Sequence, residues 1–242
     1  MMVTPLNRGS KLLRLNGPLL KGGGPSTRLR FFLVGAMLAG RLAAAEPVIT
    51  AIGDSFTAGN TGFDDAACHQ PLHSYPSQLS ELTKVSVINW GFSGWTSIQV
   101  KEQWLHMATP TQKAGVVIMA VGTNNLKNTD SSVLVSDVRA VLESLTSRPK
   151  KFILLLHPHA GTDYSDEKKA LIVRYHQVLQ KTFPEYAIDL WDFHVDDRGV
   201  IEPAYRRHNI DGTLDGLHPS SLWYTEVARR VAERIQAMDA AR

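Results

Sequence analysis

The 242-residue sequence predicts a three-layer α/β sandwich built on a parallel sheet. Two observations carry this. Short, continuously apolar, β-branched runs recur along the chain, as expected of strands buried on both faces. Between them lie longer segments with apolar residues at three-to-four spacing, as on helices that cover a sheet. The resulting order, βαβαβαβαβα, implies right-handed crossovers and one domain.

Taken in order, strands are predicted over residues 48–52, 85–90, 116–121, 152–156 and 187–191, and helices over 75–82, 98–107, 133–145, 167–182 and 222–238. The third helix shows the pattern best: Leu134, Val135, Val138, Val141, Leu142 and Leu145 form one stripe. In open parallel sheets, ligands bind at the carboxyl ends of the strands, so the residues after each strand are the functional candidates.

Before the first strand the composition changes. Seven of the 26 Lys and Arg residues lie within residues 1–45, which hold no Asp or Glu, so the remainder carries 23 acids against 19 bases. The net charge of +3 therefore belongs to the leader, and a mildly acidic body excludes nucleic acid as the default partner. The leader has a basic stretch ending at Arg30, an apolar run from Phe31 to Gly40, and small residues Ala43, Ala44 and Ala45. This is the layout of an export signal with cleavage after Ala45, leaving a domain over 46–242 with no stable membrane insertion. An uncleaved anchor or an early start codon are the other readings. The single Cys68 cannot form an internal disulfide.

Four segments fall at the predicted sheet edge. The first is Gly53-Asp54-Ser55-Phe56-Thr57-Ala58-Gly59, which puts a serine at a strand-to-helix turn. Ser55 there is either a presented nucleophile or a helix cap, and Asp54 braces the turn or the helix N-terminus. Near the other end, in the loop predicted before the last helix, stands Asp215-Gly216-Leu217-His218-Pro219. Its spacing lets a carboxylate fold back on an imidazole and leave the other ring nitrogen for a hydroxyl. The same residues also make an ordinary turn. The remaining two segments, Gly91-Phe92-Ser93-Gly94-Trp95-Thr96 and Gly122-Thr123-Asn124-Asn125, offer amide donors of the kind an oxyanion needs.

The ordered set GDSFTAG, SGWT, GTNN and DGLH resembles the GDSL or SGNH hydrolases, from about Val48 to the final helix. The resemblance implies a flavodoxin-like α/β/α fold with a five-stranded parallel sheet, and serine esterase chemistry without a metal or organic cofactor. It implies Ser55 as nucleophile, His218 as general base and acid, and Asp215 as the orienting carboxylate. The implied oxyanion hole is the N–H of Ser55, the N–H of Gly94 and the amide of Asn124, with Gly91 as rival to Gly94. Asn125 departs from the usual Asp of the third block. The run GTNN with Asn128 and Thr129 is similar to the catalytic subunits of platelet-activating-factor acetylhydrolase, a short-acyl branch.

The expected activity is removal of acetyl or other short acyl groups from a carbohydrate or small ester. Two alternatives stand beside it: a lipolytic or thioesterase role on longer chains, and a non-enzymatic carbohydrate-binding envelope module, against which the complete residue set argues. Phe56, Phe92, Trp95 and Trp223 are read as cleft edge or as core. His157 and His159, at the end of the fourth predicted strand, are expected to shape their loop, with a substrate contact as the second reading. Cys68, His69 and His73 lack a second ligand pair for zinc. Arg206, Arg207 and His208 are expected in a solvated loop, with contact to an anionic group as the second reading, and the charges from Glu226 to Arg234 on an exposed helix face.

Overall fold

The computed structural model describes residues 48–59, 73–126, 130–157, 160–209 and 211–240. The leader, Cys68, His69, Asn128, Thr129 and His159 lie outside the described residues. The strands β1 (Ile49–Gly53), β2 (Val87–Gly91), β3 (Val116–Ala120), β4 (Phe152–Leu156) and β5 (Ala187–Asp189) form a five-stranded sheet in the order β2-β1-β3-β4-β5. All four pairings are parallel.

Alternation along the central strands explains why these runs carry so few polar residues. In β3, Val117 and Met119 face one helical layer while Val116, Ile118 and Ala120 face the other. In β4, Phe152, Leu154 and Leu156 oppose Ile153 and Leu155 in the same way. Each residue is withdrawn from water on one face or the other, so no polar alternation survives.

The helices α3 (Ser97–Met107), α5 (Ser131–Ser144) and α6 (Asp166–Thr182) cover the first face through Val100, Trp104, Val138, Leu171 and Tyr175. On the second face, α2 (Tyr75–Thr83) and α7 (Ser221–Ala240) pack Tyr75, Leu79, Trp223, Tyr224 and Val227 around Phe56 of the short α1 (Ser55–Ala58). Local sequence sets where the helices start. Ser74, Thr96, Asp130 and Ser165 occupy the N-cap positions of α2, α3, α5 and α6. Thr96 and Gln99 complete a capping box, satisfying donors that a helix start otherwise leaves open.

Four elements go beyond the sequence reading. Besides α1, a single turn α4 (Pro110–Ala114) precedes β3, capped by Thr109 with Gln112. The stretch expected as loop before α7 is an antiparallel pair, β6 (Arg206–His208) with β7 (Leu214–Pro219). Its register slips between Arg206 and His208, so Asp215–His218 bow out of the ladder and leave two N–H groups for a side chain. The charges on α7 do form an exposed lattice, with Glu226 pairing to Arg229 and Arg230, but Arg230 also bonds the Asp189 carbonyl and Asp192 and so ties α7 to the end of β5.

Candidate active site

The strand order reverses direction beside β1, which creates a crevice at the carboxyl ends of β1 and β3. Ser55 stands there as the first residue of α1. Asp54, not Ser55, is the cap: its Oδ1 accepts the Phe56 N–H at 3.0 Å. That leaves the Ser55 hydroxyl uncommitted to its own helix and its N–H among the donors of a helix start. Asp54 is 1% exposed, and burial lifts its carboxyl from 3.8 to about 7 against the backbone hydrogen bond from Phe56.

Gly91 closes the turn from the neighbouring strand. A Cβ there would lie 2.1 Å from the Ala58 nitrogen, so only glycine lets β2 approach α1 this closely. Its N–H donates to Asn89 Oδ1 at 2.9 Å and is therefore occupied. Gly94 differs. It sits at φ +80° with open space where a side chain would be, the left-handed backbone that glycine adopts freely.

The bowed segment of β7 supplies the imidazole. Asp215 Oδ1 accepts the N–H groups of Leu217 and His218, each at 2.7 Å, which folds the carboxylate back beneath the ring. His218 Nδ1 lies 3.3 Å from Asp215 Oδ1, and its Nε2 lies 3.1 Å from Ser55 Oγ. Burial opposes the Asp215 charge, but the hydrogen bonds from the His218 ring and from the His218 and Leu217 N–H groups outweigh it and hold the carboxyl well below its ordinary value. Thr162, after β4, braces the turn by donating its N–H to the Gly216 carbonyl at 2.8 Å.

On the opposite side, the Asn124 amide donates to the Trp95 carbonyl at 3.0 Å. That bond engages one of the two amide hydrogens and orients the side chain. Asn125 builds the support. Its Oδ1 accepts the Ser97 N–H at 3.0 Å, its Nδ2 donates to Ser97 Oγ at 2.7 Å, and Ser97 Oγ in turn donates to Asp137 Oδ2 at 2.6 Å. Lys101 caps that carboxylate at 2.7 Å, and Tyr175 donates to the Asn125 carbonyl at 3.1 Å. A neutral Asn is thus matched to Asp137, whose charge is balanced by Lys101.

Of the four aromatic candidates, Phe56 and Trp223 are core, with 1% and 0% exposure. Phe92 and Trp95 remain at the rim, stacked with centroids 4.2 Å apart. His157 is buried and stacked on Phe56 at 4.5 Å, and burial pushes its imidazole down to about 3. Arg207 contradicts the expectation of a solvated loop. It is largely buried and its Nε and Nη2 both reach Asp215 Oδ2 at 2.6 Å. Sequence spacing concealed this contact, although reading Asn209 to Thr213 as a hairpin turn would have brought Arg207 opposite Asp215. Among the described residues, no cluster of three or more His, Cys, Asp or Glu could hold a metal ion.

Such an arrangement can pass a proton from hydroxyl to imidazole, the first requirement of acyl transfer from an ester to serine. Comparison with known proteins agrees. Solved structures with the same fold include a G-D-S-L family protein from Desulfitobacterium hafniense, 20% identical, with TM-score 0.59, covering 77% of this chain and 98% of that one. A lipase/acylhydrolase from Enterococcus faecalis is 18% identical, with TM-score 0.57 and coverage of 79% and 96%. A carbohydrate acetylesterase family member from Sinorhizobium meliloti is 15% identical, with TM-score 0.52 and coverage of 79% and 98%. No curated protein matches by sequence. The GDSL-like lipase/acylhydrolase family model matches residues 51–225, the span that holds every element of the site, and the chain is a member of that family of ester hydrolases.

Proposed function

We propose that the protein is an exported serine esterase that removes acetyl or other short acyl groups from a carbohydrate or small ester. The observation that carries the reading is the continuous chain of contacts from Ser55 Oγ through His218 Nε2 and Nδ1 to Asp215. Ser55 Oγ attacks the ester carbonyl carbon as its proton passes to His218 Nε2. The carbonyl oxygen, now an anion, is met by the N–H groups of Ser55 and Gly94 and the amide of Asn124. The tetrahedral adduct collapses, the alcohol leaves with the proton from Nε2, and an acyl-serine remains. Water then attacks, giving its proton to Nε2; collapse frees the acid and returns the proton to Ser55. Asp215 stays ionised throughout and keeps the ring oriented.

Support for a small or carbohydrate ester comes from the rim. The stacked Phe92 and Trp95 adjoin the carbonyl that holds Asn124, and aromatic faces suit sugar rings. Phe56 and Trp223 are spent in the core and are not available to grip a long acyl chain. The Sinorhizobium meliloti relative of similar fold belongs to a carbohydrate acetylesterase family. Export rests on the zoned leader; among the described residues, no helix is long and apolar enough to cross a membrane.

A fluorophosphonate should label Ser55 and an ester panel should peak at acetylated sugars or short chains, with Ser55→Ala abolishing both labelling and turnover. Persistent labelling of Ser55→Ala, or a maximum at long acyl chains, would refute the reading. N-terminal sequencing of secreted protein should begin at Glu46.

A further inference from the structure

The two oxygens of the Asp215 carboxylate keep different company. Oδ1 takes the Leu217 and His218 backbone N–H groups at 2.7 Å, whereas Oδ2 takes Nε and Nη2 of Arg207 at 2.6 Å. The imidazole Nδ1 straddles them at 3.3 and 3.4 Å. Every short bond to the carboxylate therefore comes from a group other than the imidazole. Backbone donors alone fix one oxygen and leave the plane free to swing about it. Arg207 pins the second oxygen and so removes that freedom.

This is not an ordinary surface pair. The side chains of Arg207 and Asp215 are each only 13% exposed, so neither charge is well solvated by water and each offsets the other. The guanidinium also arrives from a separate strand, placed by the register slip between β6 and β7. A planar fork with two donors on one oxygen suits orientation better than a single ammonium does.

We propose that Arg207 is a positioning residue of the esterase site: it locks the plane of the Asp215 carboxylate so that the His218 ring stays directed at Ser55. The inference rests on the Ser55 reading above and adds a member to it. It acts when the imidazole is protonated, because that is when a misdirected carboxylate costs most.

The test compares wild type with Arg207→Ala and Arg207→Lys, using two readouts: the rate of fluorophosphonate labelling at Ser55, which needs no knowledge of the natural ester, and steady-state kinetics on 4-nitrophenyl acetate. For Arg207→Ala, labelling rate and kcat should both fall about 10- to 100-fold while KM moves less than about 3-fold, the pattern of lost alignment rather than lost binding. Arg207→Lys should fall between the two. Guanidinium chloride, kept far below denaturing concentrations, should raise the rate of Arg207→Ala and leave wild type unchanged. If Arg207→Ala melts below the assay temperature, Arg207→Lys decides, with kcat lowered and KM kept.

A wild-type rate in Arg207→Ala, or in Arg207→Lys where that variant decides, overturns the inference and leaves the Ser55 reading intact. So does a loss that guanidinium fails to relieve and that follows only the folded fraction. Failure of wild type to label at Ser55 overturns the Ser55 reading, and the inference falls with it.

Discussion

Replacing Asp54 by asparagine should make the protein more stable in mild alkali while changing little in acid. Asp54 Oδ1 caps the Phe56 N–H, and Oδ2 is buried with no hydrogen-bond partner among the described residues. The native state therefore holds this carboxyl protonated up to about 7, against 3.8 for the free group. Between those values the unfolded chain has released the proton and the native chain has not. Stability is thus fully present below about 4 and is lost as pH rises through the native value. Three units at about 1.4 kcal/mol each amount to a loss of roughly 4 kcal/mol by pH 8. The amide introduced by Asp54→Asn keeps the capping oxygen and never ionises. Urea unfolding of both proteins between pH 4.5 and 8.5 gives the difference directly, because groups common to both cancel. The advantage of the Asp54→Asn variant should grow with pH and level off above pH 7–8. A difference that is flat, or that shrinks as pH rises, would refute this account of Asp54.

Two further outcomes are expected. Asn124→Ala should lower kcat about 100- to 1,000-fold, equivalent to about 2.7–4 kcal/mol, with the melting temperature nearly unchanged; a variant of wild-type turnover would remove Asn124 from oxyanion stabilisation. Asn125→Asp should destabilise the fold by about 2–3 kcal/mol, because the single Ser97 hydroxyl proton cannot serve both a new carboxylate and Asp137. Adding Asp137→Asn should recover most of that loss in denaturant melts, and a strictly additive double variant would contradict the network.

Much of the fold was legible because its signals are local. Strand β4 is bounded as the apolar run predicts, over Phe152–Leu156, and α2, α3, α5 and α6 begin within two residues of expectation, next to their capping residues. The motif residues were legible only as an ordered set, since the serine and histidine segments taken singly also make ordinary caps and turns. What escaped notice depends on partners distant in sequence. Gly216 and Pro219 argue locally for a turn, yet pairing with Arg206–His208 makes that stretch a strand. Arg207 reads as a solvated cation until Asp215 is seen beside it. Phe56 and Trp223 flank motif residues as cleft walls would, and only packing against α2 and α7 shows them to be interior. Asn125 departs from the usual Asp of its block, and its own sequence position does not show what takes the place of that charge. The answer lay on α5, where Asp137 already supplies the charge.

The docking of α7 has a biosynthetic consequence. The hydroxyl comes from the beginning of the folded chain and the imidazole from near its end, and the two regions are joined where Gln78 of α2 bonds the Ser221 carbonyl that opens α7. A ribosome-bound chain that has emerged only through β5 holds all five strands of the main sheet and Ser55, yet lacks His218. On the proposed roles of Ser55 and His218, a fragment that stops short of β7 should bind neither proton nor ester productively at this serine.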